Sequence, residues 1–379
     1  MNGRQLIILL VLVLVIGGAA WLYSRKQAAT WSSPNSTVGQ KLLGNFQVND
    51  VACIRMQHGV NAVDLVQTNG LWRVQERGGY PADFSQISQL LLKLRDLKVV
   101  QTEQVGPSQR PRLSLAAPGP ETNSATLLAF YNAGGKPLRT LWLGKPHMHQ
   151  SSQAAASPEM GDQSWPDGRY VLTATNADVV AVVADPLSEV SPDASQWLDK
   201  TFFKVGKLRT ISVTYPVATN SWALVSDTNG WKLANARPDE KLDSAQASET
   251  ADALSSPGFN DVAVGLKPEQ TGLEHPTRIG IKTADGFHYA INVGRKTNDN
   301  YFMTVAVSAT LSKTNAPDEN QGLADKLTQE SKLNQWTYLV PDWTLEPVLK
   351  TRRQLLVVEP AKTESHSPTT NAPATSASR

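Results

Sequence analysis

The first pattern along the chain is an unbroken apolar run. Residues Leu6 to Tyr23 read LIILLVLVLVIGGAAWLY, with no charge among them. At 1.5 Å per residue such a run makes roughly 27 Å of helix, close to a bilayer core of about 30 Å. Arg4 precedes it, Arg25 and Lys26 follow it, and Trp21 and Tyr23 stand where an interfacial aromatic belt forms. A cleaved signal peptide has a shorter apolar core and small residues just behind it. Here Trp21, Tyr23, Arg25 and Lys26 occupy that zone. The pattern therefore predicts an uncleaved transmembrane helix over residues 6–23, held in lipid by Leu6, Ile7, Leu10, Leu14, Ile16, Trp21 and Tyr23. Basic residues are balanced on its two sides, so charge does not orient it. The short tail 1–5 is easily left in the cytoplasm, which places the bulk of the chain in the periplasm.

Beyond a Ser/Pro/Asn-rich linker (24–42) the period changes to alternation, and a set of landmarks occurs twice. The first set has strands at Val51–Met56 and Ala62–Val66, a Thr68-Asn69-Gly70 turn, then Leu71-Trp72-Arg73-Val74. The second has Leu208–Tyr215, Trp222–Val225, Thr228-Asn229-Gly230 and Trp231-Lys232-Leu233. Asn-Gly supplies the two positive-φ residues of a type I′ hairpin, and the Trp behind it is expected to pack on the buried face. Pro81-Ala82-Asp83 leads into a helix with Phe84, Ile87, Leu90, Leu91, Leu94 and Leu97 at helical spacing and Asp83 as N-cap. Arg237-Pro238-Asp239 leads into a weaker one with Ala247, Ala251 and Leu254, Asp239-Glu240 reading as its charged first turn. Strand pairs follow at Ser124–Tyr131 and Leu138–Leu143, and at Thr277–Lys282 and Phe287–Val293. Each pair ends apolar-Gly-basic, as Leu143-Gly144-Lys145 and Val293-Gly294-Arg295. Tyr170-Val171-Leu172, followed by a helix with Val179, Val180, Val182 and Val183, is matched to Tyr338-Leu339-Val340, followed by one with Trp343, Leu345 and Val348. Polar loops are expected at Gln150–Asp167 and Lys313–Leu333.

The fold class read from this is α+β: two tandem related units, 43–203 and 204–358, each a mostly antiparallel sheet with two helices, after one N-terminal transmembrane helix. Residues 359–379 are rich in Ser, Thr, Pro and Ala and read as a disordered tail.

Composition narrows the function. Apolar residues make up 40% of the chain and charged ones only 18%, below the usual quarter or so. With 36 basic and 34 acidic residues the balance does not suit a nucleic-acid binder. Cys53 is the only cysteine, which excludes an intrachain disulfide and CxxC chemistry. It lies in a strand and reads as a small buried hydrophobe.

Signatures of catalysis are missing. Lys136, Lys145 and Lys207 each follow a glycine, but without the rest of a phosphate-binding loop, and GxGxxG, GxSxG and HExxH do not occur. His147 and His149 share one side of a strand, yet no acidic residue or cysteine is near them in sequence, so no metal site is assigned. Asn298-Asp299-Asn300 lacks the glycine and distal glutamate of a calcium loop and reads as a hairpin turn. Trp72, Trp142, Trp222 and Trp231 read as core, while Trp165 and Trp336, flanking the polar loops, are the candidates for exposed contacts. No cofactor is expected.

The hairpin Asn69-Gly70-Leu71-Trp72, the Pro81–Leu97 helix with its lead-in, the Leu143–Lys145 strand end and the Tyr170 strand together resemble an uncharacterised bacterial domain family of unknown function, over about residues 43–355. Members of that family accompany the ATPase, permease and auxiliary protein of gliding-motility-type ABC transport systems. The resemblance implies company and location, with ABC permease and auxiliary proteins as partners, and transfers no active-site residue. The second unit departs most from it. The reading is a non-enzymatic, membrane-anchored accessory or binding protein of the bacterial inner membrane, with an envelope polymer as another partner. The alternatives are an envelope carbohydrate-active hydrolase, or a cell-wall or division scaffold.

Overall fold

The computed structural model describes residues 37–149, 164–173, 179–311 and 317–357. The residues expected to form the anchor, Leu6 to Tyr23, the linker before Thr37 and the whole of the expected tail lie outside them. Among the described residues no helix is long and apolar enough to cross a membrane. The chain divides into two compact units between Lys200 and Thr201. Both are built on mostly antiparallel sheets with a few helices, an α+β architecture.

In the first unit the strands are β1 (Cys53–His58), β2 (Asn61–Thr68), β3 (Leu71–Val74), β4 (Tyr80–Pro81), β5 (Val99–Gln104), β6 (Thr126–Tyr131), β7 (Pro137–His149), β8 (Trp165–Thr173) and β9 (Val179–Val183). They form one sheet in the order β4-β3-β2-β1-β6-β7-β8-β9-β5. Helix α1 (Phe84–Asp96) connects β4 to β5 and buries Ile87, Leu90, Leu91 and Leu94. Its N-cap is Asp83, whose carboxylate accepts from the amides of Ser85 (2.8 Å) and Gln86 (3.2 Å). Period-two alternation builds the core. Val63, Met56, Leu128 and Leu141 pair side by side across β2, β1, β6 and β7, and all four are buried. Burying each such side chain contributes about 1.5–3 kcal/mol. A smaller cluster of Val105, Leu115, Ala125, Leu172 and Val180 is closed over by Leu113, Trp142 and Tyr170.

The second unit contains β10 (Leu208–Thr214), β11 (Trp222–Asp227), β12 (Gly230–Leu233), α2 (Ser244–Ser255), β13 (Asp261–Ala263), α3 (Pro268–Thr271), β14 (Thr277–Thr283), β15 (Phe287–Thr297), β16 (Asn300–Ala309), α4 (Pro317–Glu330), β17 (Thr337–Pro341) and α5 (Asp342–Leu345). Its sheet order is β12-β11-β10-β14-β15-β16-β17-β13, which repeats the first order strand for strand once β4 is set aside. Here Trp222, Val213, Ile279, Ile291 and Val305 make the buried row.

The apolar-Gly-basic strand ends have a common geometry. In β7 the ladder slips between Leu143 and Pro146, and in β15 between Val293 and Lys296. At each slip a glycine lies under a crossing segment. A Cβ on Gly144 would run into the Leu113 carbonyl and the Leu115 side chain; one on Gly294 would meet the Thr271 carbonyl and Leu273.

Several expectations are corrected. Val179–Val183 is a strand, β9, and not a helix: its β-branched run leaves no polar face, and it is hydrogen-bonded between β8 and β5. The first unit therefore has a single α-helix among the described residues. Tyr170 lies on β8 and Tyr338 on β17, strands that hold different places in their sheets, so the two tyrosines do not correspond. Much of the loop expected at Lys313–Leu333 is helix α4, with Leu323, Ala324, Leu327 and Glu330 along its partly buried side. Asn69 and Gly70 both have positive φ, as a type I′ turn requires, but Asn229 does not. The second hairpin closes one residue earlier, at Asp227 and Gly230, where the Asp227 carboxylate accepts from the Asn229 amide (2.8 Å). Asp239 and Glu240 precede α2 instead of opening it, and Asp243 is its N-cap.

Candidate functional site

Pairing of β7 with β8 sets His147 opposite Gly168 and His149 opposite Trp165. That register turns both imidazoles onto one carboxylate that lies far from them in sequence. His147 Nδ1 is 2.7 Å from Asp167 Oδ1, and His149 Nδ1 is 3.3 Å from Asp167 Oδ2. The hydrogen bond to His147, reinforced by His149, holds the Asp167 carboxyl below its ordinary range. Trp165 packs on His149 with ring centroids 4.9 Å apart, and Tyr170 meets His147 edge-on at 5.6 Å. The carboxylate that the pair lacked in sequence is thus supplied by the partner strand. It takes up the Nδ1 atoms in hydrogen bonds. Among the described residues no group of three or more His, Cys, Asp or Glu side chains is arranged to hold a metal ion.

The other residues singled out in the sequence fall elsewhere. Asn298 and Asp299 form a two-residue hairpin loop closed by Thr297 and Asn300. Trp72 and Trp222 are buried, Trp142 and Trp231 half-buried; Trp165 is exposed and Trp336 half-buried. Cys53 is half-buried at the start of β1, and partial burial, followed by the nearby Asp64 charge, pushes its thiol pKa up. A thiol held protonated is a weak nucleophile.

A cleft that the sequence did not announce lies in the second unit, between the outer side of α2 and α5. Its volume is about 580 Å³. Helix α2 supplies Ser248, Glu249 and Asp252, Ser256 follows at its C-terminal end, and α5 supplies Trp343 and Thr344. The two walls are tied together below the opening. Thr250 Oγ1 donates to the Pro347 carbonyl at 2.9 Å, and Lys350 Nζ reaches Glu249 at 2.6 Å and also contacts Gln246. Lys296 pairs with Asp342 (2.6 Å) and Glu346 (3.3 Å) and thereby fixes α5, holding the Asp342 carboxyl below its usual range. Trp343 is 71% exposed despite its place in the apolar pattern, because α5 is a single turn that turns this indole away from the core. A smaller depression of about 280 Å³ lies on the sheet where Ser212, Gly280 and Ala290 stand side by side.

The model of a family described as "Domain of unknown function (DUF4340)" matches residues 72–276, more than half of the chain. The chain belongs to this family. The matched stretch runs from β3 to just short of β14 and crosses the division between the units. No curated protein and no solved structure matches the chain.

Proposed function

We propose that this chain is a membrane-anchored, non-enzymatic accessory or binding protein of the bacterial inner membrane, with both sheet units in the periplasm, working as a component of an ABC-type transport system. The observation that carries the reading is the uncharged run Leu6–Tyr23 placed ahead of two compact units. Membership of a domain family of unknown function is compatible with it. The resemblance to proteins that accompany gliding-motility-type ABC systems supplies the company: a permease and an auxiliary protein, or an envelope polymer. We read the two units as copies of one ancestral unit. The coincident strand orders support this, as do the glycines Gly144 and Gly294 lying under equivalent crossing segments.

The experiment is a crosslinked pull-down from membranes with mass spectrometry of what accompanies the chain. An ATPase–permease pair among the captured proteins is the expected result. A fragment lacking residues 1–24 that still sediments with membranes, in the absence of its partners, would show the anchor assignment to be wrong.

A second reading, a carbohydrate-active hydrolase, is favoured by one observation: Glu249 and Asp252 both line the cleft. Glu249 is committed to Lys350, which leaves Asp252 as the carboxylate without an ion pair there. Binding remains the better-supported role. Release of reducing ends from an oligosaccharide by the wild-type chain and not by Asp252→Asn would favour the hydrolase.

A further inference from the structure

We propose that the cleft between α2 and α5 binds a neutral saccharide, with Trp343 as the stacking surface and Thr344, Ser248, Ser256 and Asp252 as its hydrogen-bonding lining. The proposal concerns a site, and it stands whether or not the chain is anchored or serves a transporter.

Two independent observations point to a ligand. Trp343 lays an indole open to solvent at the edge of a cavity whose 580 Å³ falls within the usual range of about 300–1,000 Å³ for ligand pockets. Beside it, Thr344 lines the cleft and is only 5% exposed, yet its Oγ1 has no hydrogen-bond partner. A hydroxyl withdrawn from water without a partner is costly to the fold, and such groups in native proteins call for an explanation. A ligand hydroxyl would supply the missing bond once the cleft lining gives way enough to open Oγ1, which is closed to solvent here.

The lining selects the ligand class. No lysine or arginine lines the cleft, so an anion would find no counter-charge there. Glu249 is already held by Lys350, so a cation would find one uncommitted carboxylate and would leave the hydroxyls of Ser248, Ser256 and Thr344 unused. A pyranose uses all of these groups. Its C–H face covers an indole, and its hydroxyls donate to Asp252 while accepting from serine and threonine. The helix of the first unit is tied down differently. There Lys93 of α1 bridges to Asp185 (3.1 Å) and Glu189 (2.5 Å), on the segment after β9, whereas α2 carries no basic residue.

The test uses the full-length chain, kept in solution with a detergent that carries no sugar headgroup. Maltohexaose, cellohexaose and chitohexaose are titrated by calorimetry and by tryptophan fluorescence. At least one is expected to bind saturably, with a loss of about tenfold or more in affinity for Trp343→Ala and for Asp252→Asn. Thr344→Val keeps the side-chain shape. Its unfolding temperature should hold or rise as the orphan hydroxyl is removed, while its affinity falls. Unchanged circular dichroism in each variant separates loss of binding from loss of fold. Three results would overturn the proposal: none of the saccharides binds, binding is untouched by Trp343→Ala, or a tetralysine peptide occupies the cleft and the saccharides do not. Whether the chain sediments with membranes is read separately and alters none of these outcomes.

Discussion

The Thr271 carbonyl oxygen occupies the space that a Cβ on Gly294 would need. Leu113 stands in the same relation to Gly144. Because the obstruction is backbone, relief requires movement of a whole segment. Gly144→Ala and Gly294→Ala should each destabilise their unit by about 1–3 kcal/mol, the range for overpacking. Gly106→Ala, where nothing lies within reach of a new Cβ, should change stability by less than about 0.5 kcal/mol. Urea midpoints of the three variants check this, and equal effects would refute the argument.

Glu330 is a buried carboxylate at the end of α4. It accepts from the Lys204 amide at 3.0 Å and from the Tyr289 hydroxyl at 2.9 Å. Burial first, then the Glu330 charge, pushes the Tyr289 hydroxyl far above its ordinary pKa, so it remains a donor at any practical pH. Tyr289→Phe leaves a buried carboxylate short of a partner and should cost about 1–3 kcal/mol. Glu330→Gln retains an acceptor and should cost less. Denaturant unfolding of the two variants gives the order.

Glu240 and Arg352 form a forked pair, with Nε–Oε1 at 3.0 Å and Nη2–Oε2 at 2.7 Å. That pairing, helped by the Arg237 amide, lowers the Glu240 carboxyl to about 2 from an ordinary 4.5. A depressed carboxyl stabilises the fold above its unfolded-state value and loses that contribution as pH falls through the folded one. The stability gap between wild type and Glu240→Gln should therefore be full above about pH 5 and close progressively toward about pH 2. Thermal melts across that window test it; a gap that widens on acidification would contradict the pairing.

Helices α1 and α2 both begin on an aspartate. Asp83 caps α1, and Asp243 caps α2 by accepting from Ala245 (2.9 Å) and Gln246 (3.3 Å). Asp83→Ala and Asp243→Ala should each cost about 1 kcal/mol, and replacement by asparagine much less. Thermal unfolding of the alanine and asparagine pairs separates capping from charge.

Local chemistry made much of this fold legible. Asp83 and the 3.6-residue spacing of Ile87, Leu90, Leu91 and Leu94 specify α1 on their own, and alternation in Cys53–His58 and Leu208–Thr214 specifies strands. What failed depended on partners distant in the chain. Val179–Val183 is uniformly apolar, a pattern that suits a buried helix or a doubly paired strand, and only the presence of β5 on its far side decides. Helix α4 ends its partly buried stripe on Glu330, whose polarity hid the stripe until Tyr289 and Lys204 supplied its partners. Asp167 was invisible as the companion of His147 and His149 because the β7–β8 register, and not sequence distance, brings it there. The cleft at Trp343 left no sequence signal, since it arises from one short helical turn held by Lys296.

Strand order carries a consequence for how the chain is made. In the first unit β5 is synthesised early and Val99 is held at once by Gly39 and Gln40, but its partner in the sheet is β9, so Gln101 to Gln104 wait for Val179 to Val182. In the second, Asp261 waits in the same way for Leu339. Each unit thus closes with its last strand clasping one from its middle, and contacts so remote in sequence form late and slowly. A nascent chain halted before Val179 would display β5 as a bare edge, open to pairing with a neighbouring copy. The same clasp means that neither unit can be cut back through its last strand without unravelling a strand laid down long before.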